Sequence, residues 1–193
     1  GLTPLHYHSC QESILELLLS VNADVNIVSS APAIPNGVGL TPLHVACEYG
    51  GPLSIVQALL QKDRSTVNVA GVAGVTPLHT SAALPNAALA KVLLDAGANV
   101  NSISNDGFTP LHTAIQHGSL EIVKLLIANG ADINVCAQFN EEAPHVIVPP
   151  LYLACCNGDV EIVRALLKNG AAKSVDWLSP DGFAALHITA AKG

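Results

Sequence analysis

Charge is scarce in this 193-residue chain. Lys, Arg, Asp and Glu make up 12% of it, against about a quarter in an ordinary soluble domain. Eight Lys and Arg stand against fifteen Asp and Glu, for a net charge of -7. The cations are dispersed, so no basic patch exists to hold a phosphate backbone, and nucleic acid is not an expected partner. Aromatic residues reach only 4%, and methionine is absent even at position 1, so the chain is expected to be a piece of a longer protein. No apolar run approaches the ~20 residues that cross a bilayer. The most apolar stretch, 146–156, is interrupted by Pro149 and Pro150, and membrane insertion within this chain is not expected. No signal peptide opens the sequence, and no Asn-x-Ser/Thr acceptor occurs in it. Cys10, Cys47, Cys136, Cys155 and Cys156 are odd in number and contain no Cys-x-x-Cys pair. That excludes a disulfide framework and points to a reducing compartment, so an intracellular, cytoplasmic location is expected.

Half of the residues are hydrophobic, which excludes a disordered chain. They are organised by repetition. Thr3-Pro4-Leu5-His6 returns as 41–44, 76–79 and 109–112, and weaker copies stand at 149–152 and 184–187. The starts are separated by 38, 35, 33, 40 and 35 residues, a period of about 33 with insertions. Thr suits the N-cap of a helix, and Pro suits its first turn, where a missing N–H costs nothing. A small residue follows two places after the His position at Ala46, Ser81, Ala114, Ala154 and Thr189, which lets neighbouring helices approach. A second helix is expected from the spacing of Ile122, Val123, Leu125, Leu126 and Ile127, and of Ile162, Val163, Leu166 and Leu167. It is expected to stop at Gly97, Gly130 or Gly170, and at Asn22 in the first copy, residues that tolerate a left-handed backbone. Asp-Val-Asn or Asp-Ile-Asn then reads as a short strand leading into a hairpin.

The stretch from Gly107-Phe108-Thr109-Pro110-Leu111-His112 to Gly130-Ala131-Asp132-Ile133-Asn134 resembles an ankyrin repeat, and the resemblance covers essentially the whole chain. It implies an all-α solenoid of stacked helix-turn-helix repeats with short β-hairpin fingers, and a concave face built from fingers and first helices. The chain reads as one domain over 1–193. Its repeats start near Gly1, Gly39, Gly74, Gly107, Val148 and Gly182, the last one truncated. Solenoids need polar capping repeats. Neither end carries one, so continuation in both directions is expected. Two fingers are enlarged: 15 residues separate Asn26 from Thr41 and Asn134 from Pro149, where Asn101 and Thr109 are eight apart. The first repeat places His8 where the others have a small residue, and the fifth lacks the capping Thr.

No nucleophile elbow, phosphate loop or zinc spacing occurs. No catalytic, cofactor-binding or metal-binding residue is therefore assigned. His6, His44, His79, His112 and His187 share one register. Stacking makes them a ladder with Thr3, Thr41, Thr76 and Thr109 rather than a convergent site, each ring bonding within its unit or to the next. Cys155-Cys156 and the His8/Cys10 pair read as packing and local distortion. Leu18…Asn26 and Leu126…Asn134 resemble the leucine–acidic–aliphatic–Asn pattern of ankyrin repeats hydroxylated on Asn. Support of the hairpin by the Asn side chain explains the same residues. The resemblance implies a non-enzymatic scaffold for a protein or peptide. The register places Glu48, Tyr49, Leu84, Asn105, Asp106, Phe108, Gln116, His117 and Asn157 on fingertips and first helices, with Phe139 and Trp177 as further aromatic anchors. The alternative is a regulatory or targeting ankyrin domain of a larger enzyme, channel or effector.

Overall fold

The computed structural model describes residues 3–7, 12–29, 39–135 and 148–192. They divide into two compact units, Gly1–Asn99 and Val100–Gly193. The described residues of the first unit hold α1 (Pro4–Tyr7), α2 (Glu12–Ser20), α3 (Pro42–Glu48), α4 (Leu53–Lys62), α5 (Pro77–Ala82) and α6 (Ala87–Asp95). Those of the second hold α7 (Pro110–Gln116), α8 (Leu120–Ala128), α9 (Pro150–Asn157), α10 (Val160–Lys168) and α11 (Ala185–Lys192). First and second helices alternate, as the period requires.

Each first helix is started by its own motif. Thr41 and Thr109 are extended at the N-cap, and their hydroxyls accept from the backbone N–H of His44 and His112. The following Pro opens the helix. The core then builds from single faces. Leu43, Ala46 and Cys47 meet Ile55, Val56 and Leu59 in one unit, and Leu111, Ala114 and Ile115 meet Ile122, Val123 and Leu126 in the other, all buried. Burying each of the larger side chains contributes roughly 1.5–3 kcal/mol. α6 ends in two bonds, from Ala98 N–H to Leu93 O at 2.9 Å and from Gly97 N–H to Leu94 O at 3.0 Å. This closure needs a left-handed residue, and Gly97 sits at φ 96°. Nothing lies within 4 Å of a Cβ placed there, so backbone conformation alone demands glycine.

The expected finger strands are not found among the described residues. Val25-Asn26 and Ile133-Asn134 form turns, and the fingers are tight loops closed by few bonds. Ser104 N–H donates to Phe108 O at 2.9 Å and Gly107 N–H to Ser104 O at 2.8 Å. The Ser104 hydroxyl accepts from Phe108 N–H at 3.1 Å. Ser179, Gly182 and Phe183 repeat the arrangement. Ser29 closes the base of the first enlarged finger against Leu40 in the same manner. The bulk of both insertions, 30–38 and 136–147, lies outside the described residues, as do His8, Cys10, Cys136 and Phe139.

The His register joins one repeat to the next within each unit. The backbone N–H of Thr3, Thr41, Thr76 and Thr109 each donates to Nδ1 of the His three residues on, at 3.2 Å. An N–H only donates, so Nδ1 carries no proton and the neutral ring holds it on Nε2. That nitrogen donates across to the residue just before the next helix: His6 to Leu40 O at 2.9 Å, His44 to Val75 O and His112 to Val148 O at 3.1 Å. His187 accepts from Ala184 N–H at 3.0 Å, but its ring is exposed.

Burial holds the pKa of His6 and His44 below the usual 6.5, only partly offset by the carbonyls of Leu40 and Ile27 for one and of Val75 and Val69 for the other. The folded protein therefore binds protons less readily at these sites than the unfolded chain does. Stability is full above the unfolded value and is lost as pH falls below it toward the lower folded values. Thermal melts are expected to shift downward from about pH 6.5 to about pH 5, and an unchanged midpoint over that range would contradict the assignment. Leu111→Ala, at a fully buried side chain, is expected to cost about 2–5 kcal/mol in denaturant melts. Leu186→Ala, at the corresponding but 75% exposed position of α11, is expected to cost under about 0.5 kcal/mol.

Candidate protein-docking surface

The asparagines before the fingers act as clips within each unit. Asn68 donates its amide to Gly97 O at 3.0 Å and accepts from Asn99 N–H at 2.7 Å. Asn101 donates to Gly130 O at 3.1 Å and accepts from Asp132 N–H at 2.8 Å. Each thus satisfies a carbonyl left orphaned where the next second helix ends. Asn134 donates to Gly170 O at 3.4 Å, and its own side-chain oxygen is buried without a partner. Asn26 donates to Asp63 Oδ2 at 2.6 Å, and this bond with those from Ser65 keeps the Asp63 carboxyl below its ordinary value. A clipping role accounts for Asn at all these positions.

What remains outside the clips and the core is the candidate surface. In the first unit, Glu48 and Tyr49 are exposed where α3 ends, and Leu84 is half-buried near Gly50. In the second, Gln116 and His117 are exposed at the same register of α7, and Asn105 and Asp106 stand at an exposed fingertip. Phe108 is half-buried, set edge-on to the His112 ring with centroids 5.7 Å apart. Two further expected residues also make internal contacts: Trp177 is half-buried and Asn157 is exposed. Trp177 packs edge-on against Tyr152 at 5.1 Å, and the Asn157 amide donates to Ile115 O at 2.8 Å, closing the end of α7. The finger serines 29, 104 and 179 were not singled out by sequence reasoning. Their signal is the Ser-x-x-Gly spacing of 104–107 and 179–182.

Burial pushes the Cys47 thiol up to about 12. Burial and the neighbouring Cys156 raise Cys155. A thiol held protonated is a poor nucleophile. Among the described residues no group of three His, Cys, Asp or Glu side chains is placed to hold a metal ion. No helix there is long and apolar enough to cross a membrane.

Comparison with known proteins agrees with this construction. Family models for ankyrin repeats match residues 1–71, 61–136 and 113–167. The chain is also similar to the SMC5-SMC6 complex localization factor protein 1 of Homo sapiens, 34% identical over 103 residues, and to that of Bos taurus, 36% identical over 103. Each match covers 52% of this chain but 9% of the relative's length. Alternating capped helix pairs, their His and Asn bridges and the matched family models together establish that this chain belongs to the ankyrin repeat family.

Proposed function

We propose that the protein is a non-catalytic docking scaffold that holds a protein or peptide on the face built from its fingers and first helices. Ankyrin repeats are in general protein–protein interaction modules and typically non-catalytic, and function in such folds lies in exposed side chains rather than in the scaffold. The observation that carries the reading is Tyr49. It is a large aromatic left 68% exposed at the end of α3, beside exposed Glu48. Aromatic residues of this kind dominate binding energy at interfaces. Gln116 and His117 present the same register in the second unit, with Asn105 and Asp106 at the fingertip. We read the chain as one array because the motif register runs through residues 99 and 100 without a break. The free thiols of Cys47 and Cys155 favour a reducing, intracellular setting. Sparse cations argue against nucleic acid as the partner.

Photo-crosslinking tests the face. A crosslinking residue at Tyr49 or Gln116 is expected to capture the partner, and one at Gln61 or Glu121 on the second helices is not. The reverse pattern would refute the reading. Tyr49→Ala is expected to weaken binding of the captured partner by about 30-fold, the loss typical of an aromatic anchor, while the thermal midpoint stays in place. Unchanged affinity would remove Tyr49 from the interface.

A further inference from the structure

The second helices of the 100–193 unit leave an open groove between α8 and α10, with a volume of about 460 Å³. Its walls are Lys124, Ile127 and Ala128 on α8 and Glu161, Arg164, Ala165 and Lys168 on α10. Spacings of three and four place each set along one side of its helix. Ile127 and Ala165 are half-buried and, with Ala128, form a short apolar floor, while the three cations stand exposed around it. Three of the chain's eight Lys and Arg thus gather on one groove of a protein of net charge -7. Glu161 approaches Arg164 Nε at 3.5 Å. Among the described residues, Lys124 and Lys168 form no ion pair.

The 1–99 unit supplies the contrast. Its groove between α4 and α6, about 260 Å³, has apolar residues Leu60, Val92 and Ala96 as well as Gln57 and Gln61, but a single cation, Arg64. In the repeat register Lys91 of α6 corresponds to Lys124 and Arg164, and Lys91 is held by Asp95 one turn later at 3.2 Å. The place of Asp95 is taken by Ala128 in α8 and by Lys168 in α10. The counter-charge at this register in one unit is therefore exchanged in the other for alanine and for a further cation.

We propose that the α8–α10 groove binds an acidic peptide segment of a partner protein, at a site separate from the finger and first-helix face. Carboxylates of the segment meet Lys124, Arg164 and Lys168, and an aliphatic side chain between them covers Ile127, Ala128 and Ala165. Complementary charge at a groove rim selects and orients such a segment. The floor adds what free ions lack, apolar area removed from water. The carboxylate of Glu161 in the wall and the lack of an aromatic stacking residue among those lining the groove disfavour a nucleic acid strand.

The probe is a fluorescein-labelled peptide alternating Glu and Leu, titrated with the folded protein and read by fluorescence anisotropy. Saturable binding that weakens with added salt is expected. The triple variant Lys124→Gln, Arg164→Gln, Lys168→Gln is expected to weaken it about tenfold, the sum of three exposed charge contacts. Lys62→Gln with Lys91→Gln, removing cations elsewhere on second helices, is expected to change it by less than about twofold. Lys124→Arg with Lys168→Arg, which keeps the charge, is expected to retain binding. All positions are exposed, and circular dichroism melts report whether each variant remains folded. The proposal is overturned by absence of saturable binding to the unaltered protein, by equal losses in the triple and control variants, or by tighter binding of a labelled single-stranded oligonucleotide.

Discussion

His6, His44 and His112 each accept with Nδ1 inside their own repeat and donate with Nε2 to the carbonyl that precedes the next helix. The rest of the architecture follows from keeping that bridge short. The ring must be neutral, which requires burial, and burial requires that the helices on either side come close. Closeness explains Ala46, Ala114 and Ala154 along the first helices, all fully buried. The carbonyl must be presented at a fixed place, and the finger closure immediately before it does so. Ser29 against Leu40, and Gly71 against Val75, each close a loop on a residue whose carbonyl serves a His. A buried imidazole with both nitrogens engaged strengthens its bonds in a low dielectric, and a protonated or half-bonded one is penalised by the same dielectric. His187 shows the half-made state in water: Nδ1 is bonded within its turn and the ring is exposed.

The His bridge works with a second clip at the opposite end of each helix pair. Asn68 and Asn101 reach the carbonyls of Gly97 and Gly130, where the left-handed turn leaves them facing outward. One polar residue thus secures the start of the first helix and another the end of the second. Between these bonds the packing is apolar and local. Neither clip carries a formal charge, which suits a chain with so few charged residues.

The helix starts, the buried leucines and the glycine stops were legible because each depends on a few adjacent residues. Thr41 caps, Pro42 opens, and Gly97 turns left-handed, whatever lies further along the chain. Asp24-Val25-Asn26 was misread as a strand because its outcome depends on a partner 37 residues away. The side chain of Asn26 bonds to the Asp63 carboxylate, and the backbone around it turns rather than extends. The internal contacts of Trp177 and Asn157 were not legible for the same reason, because their partners, Tyr152 and Ile115, lie in other elements. Tyr49 was legible as exposed because it falls just past the last buried turn of α3.

Where the clips are neutral, charge is free to be placed by exposure alone. Glu48 is the single charged residue in α1, α3, α5, α7 and α9, whereas α2, α4, α6, α8 and α10 together carry Lys62, Lys91, Lys124, Arg164 and Lys168 as well as acidic residues. The inner side of a first helix packs against the second helix of its own repeat and the first helix of a neighbour, so a charge on that side would be buried without a partner. A second helix keeps one side in water and accepts charge at little cost. The same segregation leaves the finger and first-helix face polar, weakly acidic and marked by an exposed aromatic, while the second-helix face is set by whichever charges its helices bring together. In α6 those charges neutralise each other one turn apart. Across α8 and α10 they leave cations around an apolar floor. Two faces of different character thus arise on one family of repeats, because the His bridges and the Asn68 and Asn101 clips make no use of charge.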